Sequence, residues 1–431
     1  MSAVLSRRRF LECAGAVGAV LALPKHLSAQ EVQSVSRGMP SSWLTLESFG
    51  ARGDGETPDD SAFESLLNSV GDDRSAVIYL PQRYRLEKPV RINGKSLALV
   101  GNANSGVGWT GFTFGGDGAL NFERCAGCNI EKIGFRAQPG YTPEHDMVSL
   151  VDSSLATFDN VGFDGAQADG VRYLRATGSS NATRFINLRA RGANGSYGFF
   201  FGGPMPSTPR TGANIIDFSV FSIGARDNCD AIVFDGSSGS ARFTNGAFNF
   251  GRRGIWGKSV GFLYFNACGW ENHEADYTLD FERASTVSIV GCYIQGGLRC
   301  SEAASSFRIG YNQIRAGRFN GIDIGGMQML VSGNSISRNG IADRFQSSGI
   351  KIRDTAKNVN ITGNTIARDW TWNRDTDQQT RQNGLQRFAI ENDAPLSAGV
   401  LISDNLISEY SEAPIGGSVP SGPNIRNNTT F

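Results

Sequence analysis

The feature that most constrains this chain is a short pattern recurring from residue 130 onward: an apolar residue, two variable residues, a slot, one variable residue and a second apolar residue. Its copies are Ile130/Ile133/Phe135, Phe158/Val161/Phe163, Phe185/Leu188/Ala190, Ile216/Ser219/Phe221, Phe243/Gly246/Phe248, Phe265/Cys268/Trp270, Ile289/Cys292/Ile294, Ile309/Asn312/Ile314, Val331/Asn334/Ile336, Ile361/Asn364/Ile366 and Ile402/Asn405/Ile407. Successive slots lie 20 to 41 residues apart. A second short strand follows most slots, often opened by glycine, at Gly170–Tyr173, Ala231–Phe234, Gly254–Trp256, Gly321–Ile324 and Gly349–Ile352. One such unit cannot bury its own apolar face, whereas a stack of them can, so the pattern predicts a parallel β-solenoid. Eleven coils with strands about 4.8 Å apart would span roughly 50 Å.

Rival repeat folds fit less well. A propeller blade takes about 40 to 45 residues, and a leucine-rich solenoid would carry leucine at most of these positions. The four late slots hold Asn312, Asn334, Asn364 and Asn405, which places asparagines on one edge of the stack and predicts a ladder of amide hydrogen bonds at a turn.

Composition bounds the partners. The 431 residues carry 41 positive and 41 negative charges, so no basic field attracts nucleic acid or an anionic membrane. The 34 Arg against 7 Lys supply forked donors suited to carboxylates. Residues 1–29 have the three regions of an export signal: Arg7-Arg8-Arg9-Phe10-Leu11, an apolar run from Ala14 to Leu23, and Pro24-Lys25-His26-Leu27-Ser28-Ala29. The paired arginines and the weakly hydrophobic centre resemble a twin-arginine signal, which makes the Tat translocase the expected export partner and Ala29 the expected cleavage point. No later segment reaches transmembrane length, so the expected product is periplasmic or secreted and off the membrane.

The opening Phe49-Gly50-Ala51-Arg52-Gly53-Asp54-Gly55-Glu56-Thr57-Pro58-Asp59-Asp60 precedes an amphipathic stretch with Phe63, Leu66, Leu67 and Val70, expected to form a short helix capping the solenoid. This opening, the strand Val77-Ile78-Tyr79-Leu80-Pro81, and the segments Leu97–Gly101, Trp270–Asn272 and Gly291–Gly296 resemble pectate-lyase-superfamily proteins, among them polygalacturonase-like hydrolases and phage tailspikes. The resemblance covers roughly residues 43 to 410 and implies an all-β fold, a right-handed parallel β-helix of about eleven or more coils. Two departures are Arg83, where such proteins usually place glycine, and the added Pro58. The expected organisation is signal peptide 1–29, linker 30–42, cap and first strands 43–100, β-helix 101–410 and tail 411–431.

Stacking makes neighbours of residues at equivalent positions in adjacent coils. Ahead of the second strands stand Asp169, then Asp227 and Asp230, then Arg252 and Arg253, then Glu271 and His273, and further on Arg315. The resemblance implies catalytic aspartates just before such strands; Ala168-Asp169-Gly170 and Asp227-Asn228-Cys229-Asp230 loosely resemble two of those motifs, and Arg252-Arg253-Gly254 stands where Gly-His-Gly would be expected. Hydrolysis of a glycosidic bond needs two carboxyl groups, for which Asp227 and Asp230 are the candidate pair. Elimination needs a base and a counter-charge for the enolate, for which His273 with Arg252 and Arg253 are candidates. Aspartates ahead of a strand also close turns, and arginines also form solvated faces. Trp370 and Trp372 in the polar loop from Arg368 to Asn392 are candidate sugar-stacking residues. Cys125-Ala-Gly-Cys128 has metal or redox spacing without a second ligand pair, so no metal or cofactor is expected; Cys268 and Cys292 share a slot and are expected as buried thiols. The expected function is an exported enzyme cleaving or modifying an acidic polysaccharide by hydrolysis or β-elimination, with a noncatalytic carbohydrate-binding or envelope protein as the alternative and the oligomeric state left open.

Overall fold

A turn residue just before each slot sets the geometry of the whole stack. Lys132, Asn160, Asn187, Val220, Asn245, Ala267, Gly291, Tyr311, Gly333, Gly363, Asp404 and Asn427 all take positive φ, between 49° and 67°. Most are Gly, Asn or Asp, the residues that enter the left-handed region at least cost. In the computed structural model, which describes residues 43–71, 75–102, 110–178, 180, 182–202, 215–226, 228–343, 346–367, 371–373, 378–380, 386–408 and 410–430, this residue bends the chain between two parallel strips of a 26-stranded sheet. In the middle coils one strand runs through the bend, as in Thr183–Ala193, Ile215–Ala225, Ser237–Asn249 and Val260–Glu271. A 13-stranded parallel sheet forms the other wall, one strand per coil from Pro89–Asn93 to Ala413–Gly416. The molecule from Leu44 onward is therefore a parallel β-helix.

Strand register confirms the repeat in ten of its eleven copies. One inward column runs Ile130, Phe158, Phe185, Phe218, Phe243, Phe265, Ile289, Ile309, Val331, Ile361, Ile402. Its phenylalanine rings lie face to face, 4.9, 4.3, 4.8 and 4.9 Å apart from Phe158 to Phe265. Such pairs add about 0.5–1.5 kcal/mol each beyond area burial. One copy differs from the sequence reading: Phe218/Phe221/Ile223, not Ile216/Ser219/Phe221, aligns with its neighbours. Ile216 and Phe218 both point inward at the strand period of two, so alternation alone could not choose between them. The next slot is Gly246 because the Phe221 ring fills its place: a Cβ there would sit 2.2 Å from that ring.

The coils run beyond 101–410 on both sides. Ser75–Leu80 already pairs with Ser96–Gly101, and Ile425–Arg426 and Thr429–Thr430 in the tail pair with the last repeats. Val171–Tyr173 is not strand; the strand of that coil is Leu174–Thr177. The helix is Asp60–Ser69, with Phe63, Leu66 and Leu67 buried and the Phe63 ring 5.4 Å from Phe112. The acidic pair of the opening motif pins it: Asp59 accepts from the Arg52 N–H at 2.7 Å, and Asp60 accepts from the Glu87 and Lys88 N–H groups at 3.0 Å each. Residues 1–42, with the expected signal and linker, lie outside the described residues.

The asparagine ladder forms and gains a fifth member, Asn428. Asn334 donates to the Ile309 carbonyl at 2.9 Å and to Asn364 Oδ1 at 2.9 Å, while its own Oδ1 accepts from the backbone and side chain of Asn312, both at 3.0 Å. Asn364 and Asn405 repeat the arrangement. Replacing Asn334 by Leu orphans two donors and a carbonyl in a site 1% exposed, so urea denaturation should show a loss of about 2–4 kcal/mol. The opposite effect is expected at Val220, a β-branched residue held at φ 52° and 53% exposed: Val220→Gly should leave stability unchanged or raise it by about 1 kcal/mol in the same assay.

Candidate functional site

Alternation in the 13-stranded sheet turns one residue per coil outward between two inward apolar ones. Register aligns Arg175, Phe200, Val233, Trp256, Asp280, Arg299, Asp323, Lys351 and Glu391 as one outer column. Its first half is aromatic and cationic. Arg175 lies over the Phe200 ring at 4.7 Å, while Arg253 and Lys258 lie over Trp256 at 4.1 and 4.0 Å. Its second half alternates in sign. Arg299 grips Asp280 through two bonds of 2.8 Å; Arg353, from the same coil as Lys351, grips Asp323 at 2.6 and 2.7 Å.

Beside the acidic half opens a pocket of about 700 Å³, lined among others by Tyr277, Asn320, Asp343, Lys351, Arg353 and Asp393. Tyr277 donates to Asp323 Oδ2 at 2.6 Å; burial, then the Asp323 charge, raises its pKa, so it stays a phenol. Burial works against the Lys351 charge, but the bond to Glu391 at 2.9 Å and the nearby Asp393 outweigh it and raise its pKa. Asp393 is also partly buried, yet the N–H and hydroxyl of Ser418, with Lys351, hold its pKa below the ordinary value. Asp343 accepts the Ser347 hydroxyl at 2.6 Å. The pocket thus offers two fixed cations, a neutral phenol and carboxylates open to solvent.

The residues anticipated from sequence fall in several places. Asp230 is 0% exposed and its carboxylate is bound at both oxygens by Arg252, through Nε at 2.9 Å and through Nη2. That fits an ion pair locking the turn and leaves no free oxygen for acid–base work. Arg253 does face the outer column, against Trp256 and 3.8 Å from Asp280. His273 packs against Gly254, where an added Cβ would stand 3.3 Å from its Nε2. Asp169 is exposed in a turn and accepts from Asn194 at 3.2 Å. Glu271 ends a strand of the 26-stranded sheet, and Arg315 ends another. Asp227 and Trp370 lie outside the described residues, and Trp372 is described only as backbone of a hairpin, Thr371–Asn373 with Gln378–Thr380. The structure therefore joins Asp230 with Arg252 and sets Arg253 against Trp256.

Sequence reading missed Tyr277, Asp280, Arg299, Asp323, Lys351 and Arg353. A signal was present: Leu279-Asp280-Phe281, Leu298-Arg299-Cys300, Ile322-Asp323-Ile324 and Ile350-Lys351-Ile352 each place one charge between two apolar residues, with alternating sign from coil to coil. Among the described residues no group of acids, histidines and cysteines has metal-holding geometry, and no helix is long and apolar enough to cross a membrane.

No protein-family model matches the chain, and no curated protein matches it in sequence. Solved structures with a similar path include the A-module of the Azotobacter vinelandii mannuronan C-5 epimerase AlgE6, at 13% identity and TM-score 0.48 over 90% of this chain and 99% of that one. A mannuronic acid-specific polysaccharide family 6 lyase from human gut microbiota gives 14% and 0.47 over 90% and 81%. The catalytic unit of a GH87 α-1,3-glucanase from Streptomyces thermodiastaticus gives 12% and 0.46 over 91% and 68%. At such identities and scores, the assignment of the fold rests on the strand pairing of this chain itself.

Burial pushes the His273 pKa down to about 4, against weaker opposition from the backbone at Phe248 and Gly251. The unfolded chain therefore takes up a proton near pH 6.5 that the folded chain refuses until about 4, so stability is present above that window and falls as pH drops through it, by roughly 1.4 kcal/mol per unit. His273→Gln should flatten this part of the stability profile; identical slopes for both proteins would show a solvated imidazole.

Proposed function

We propose that this chain is an exported carbohydrate-active enzyme that cleaves or modifies an acidic polysaccharide, by hydrolysis or β-elimination, with the sugar chain lying along the outer face of the 13-stranded sheet. The observation that carries this reading is the continuity of that face: Phe200 and Trp256, each with a cation over its ring, stand in one column with Lys351 at the pocket. Aromatic faces suit sugar rings and forked guanidinium groups suit uronate carboxylates. In the pocket, Lys351 would hold the carboxylate of the reacting sugar, beside Arg353 and Tyr277, whose donors are bound to Asp323 and shape the wall. Asp343 would be the carboxyl group available as acid or base, and Asp393, held ionised by Ser418 and Lys351, would serve only as base. Arg253 keeps a role in binding, at Trp256. Export rests on the signal read at residues 1–29, with the Tat translocase as partner and the periplasm or medium as destination.

A noncatalytic binding protein is the second reading, and one observation favours it: the carboxylates of Asp230, Asp280 and Asp323 are each held by an arginine and so belong to the scaffold. Screening against acidic and neutral glycans separates the two. Elimination creates an unsaturated uronate seen by ultraviolet absorbance, hydrolysis creates reducing ends without it, and binding with neither product supports the scaffold reading. On an active substrate, Lys351→Ala and Asp343→Asn should each lower kcat by about 10²-fold or more, while Trp256→Ala and Arg253→Ala should mainly raise KM. Full activity in all four variants would move the site off this face.

A further inference from the structure

The outer face of the 26-stranded sheet carries an aromatic and cationic cluster that the reading above does not use. On the strand Val260–Glu271, Leu263 and Phe265 point into the core, so Phe262 and Tyr264 point out, 43% and 41% exposed. This wall backs onto the 13-stranded sheet: Phe243, in register with Phe265, lies 6.2 Å from Phe234 of that sheet across the core. The two outer faces therefore look in opposite directions. Register places Arg184, Asp217, Arg242, Tyr264, Ser288 and Arg308 in one outward column. Arg242 and Arg308 are exposed, and among the described residues no ion pair holds either. Asp217 is the one acid of these six, against three arginines. Beside the column, Phe262 is flanked in register by Ser240 and Thr286.

We propose that Phe262 and Tyr264, with Arg242 and Arg308, form a second, noncatalytic surface that binds an acidic polysaccharide on the wall opposite the pocket. Sugar rings pack their C–H faces on exposed aromatic rings, and a guanidinium with a free fork pairs with a uronate carboxylate. Coils about 4.8 Å apart set Arg242 about 5 Å from Tyr264 in one direction along the stack and Arg308 about 10 Å from it in the other. An extended sugar chain lying along the axis would meet a cation, the two rings and a second cation in turn. The rings are not needed to fill the core, since Leu263 and Phe265 of the same strand do that. A second copy of the chain fits less well, because a stable interface buries about 800 Å² on each partner around an apolar centre. Here two half-exposed rings stand among Ser240, Thr286 and Ser288. The acidic ligand follows from the arginines of this wall, so the proposal holds whether or not the other face turns sugar over.

The test is native affinity electrophoresis of the folded protein through gels holding polygalacturonate or alginate, with dextran as the neutral control. It is run in an Arg253→Ala/Trp256→Ala background, which removes the cation and ring of the other face. Retardation by the uronate polymers, and not by dextran, should persist in that background and weaken by about tenfold or more in apparent affinity when Phe262→Ala and Tyr264→Ala are added. Arg242→Gln with Arg308→Gln should weaken it too and flatten its dependence on salt. Phe262→Thr with Tyr264→Thr, which keeps strand propensity, should repeat the loss at an unchanged denaturation midpoint. Turnover is not read in these gels, so a failure of the enzyme reading and a failure of this one are separate results. Loss of all retardation in the background variant, equal retardation with and without the rings, or a dimer in sedimentation that the ring variants convert to monomer would overturn the proposal.

Discussion

The in-register stacking of one bent strand on the next is the constraint from which the rest of this structure follows. A slip of one residue in a parallel strand would send each inward side chain outward, and the left-handed residue ahead of the slot prevents it by fixing where the bend falls. Once the bend is fixed, like must lie on like. Phenylalanine stacks on phenylalanine from Phe158 to Phe265, isoleucine and valine follow from Ile289, and the slot changes from apolar residues through two cysteines to five asparagines. Each asparagine amide both donates to a carbonyl of an earlier coil and caps the backbone N–H of its neighbour, so the polar slot is satisfied only as a series.

The solenoid was legible because its signal is periodic and one-dimensional: apolar residues at fixed offsets, a marked slot and a glycine before the next strand. The helix was legible from Phe63, Leu66 and Leu67. The misplacement of one copy by two residues came from a strand in which both alternatives face inward. The site was much less legible. Asp230 was singled out for standing before a strand, and that position is where the fold buries it beneath Arg252. Equivalent positions in neighbouring coils do come together, but which of them remain accessible depends on what the adjacent coil lays over them, and spacing along the chain does not record that.

The outer column shows why charge alone was a poor guide. Side chains on adjacent parallel strands stand about 4.8 Å apart, close enough that two like charges in succession would repel without relief. A charged column is therefore pressed towards alternation for structural reasons, as in Asp280, Arg299, Asp323, Lys351, Glu391. Where aromatic residues replace the acids, at Phe200 and Trp256, Arg175 and Arg253 lie over a ring face, while Lys258 lies over Trp256 and also donates to Asp235 at 3.5 Å.

That difference separates scaffold from surface along a single column. A guanidinium bound at two points to a buried aspartate has used the fork that makes it a good ligand for a carboxylate, as Arg299 and Arg353 have with Asp280 and Asp323. A guanidinium resting on an indole has not, as with Arg253 on Trp256. Lys351 stands between the two cases: it pairs with Glu391 at 2.9 Å, but as an ammonium with three rotating donors it can hold that carboxylate and still turn a proton toward the pocket. The stack thus supplies a rigid charged wall through its arginine–aspartate pairs and sets its ring-bound cations at the aromatic coils and Lys351 at the pocket, the two places where a passing anionic chain would meet cations outside those pairs.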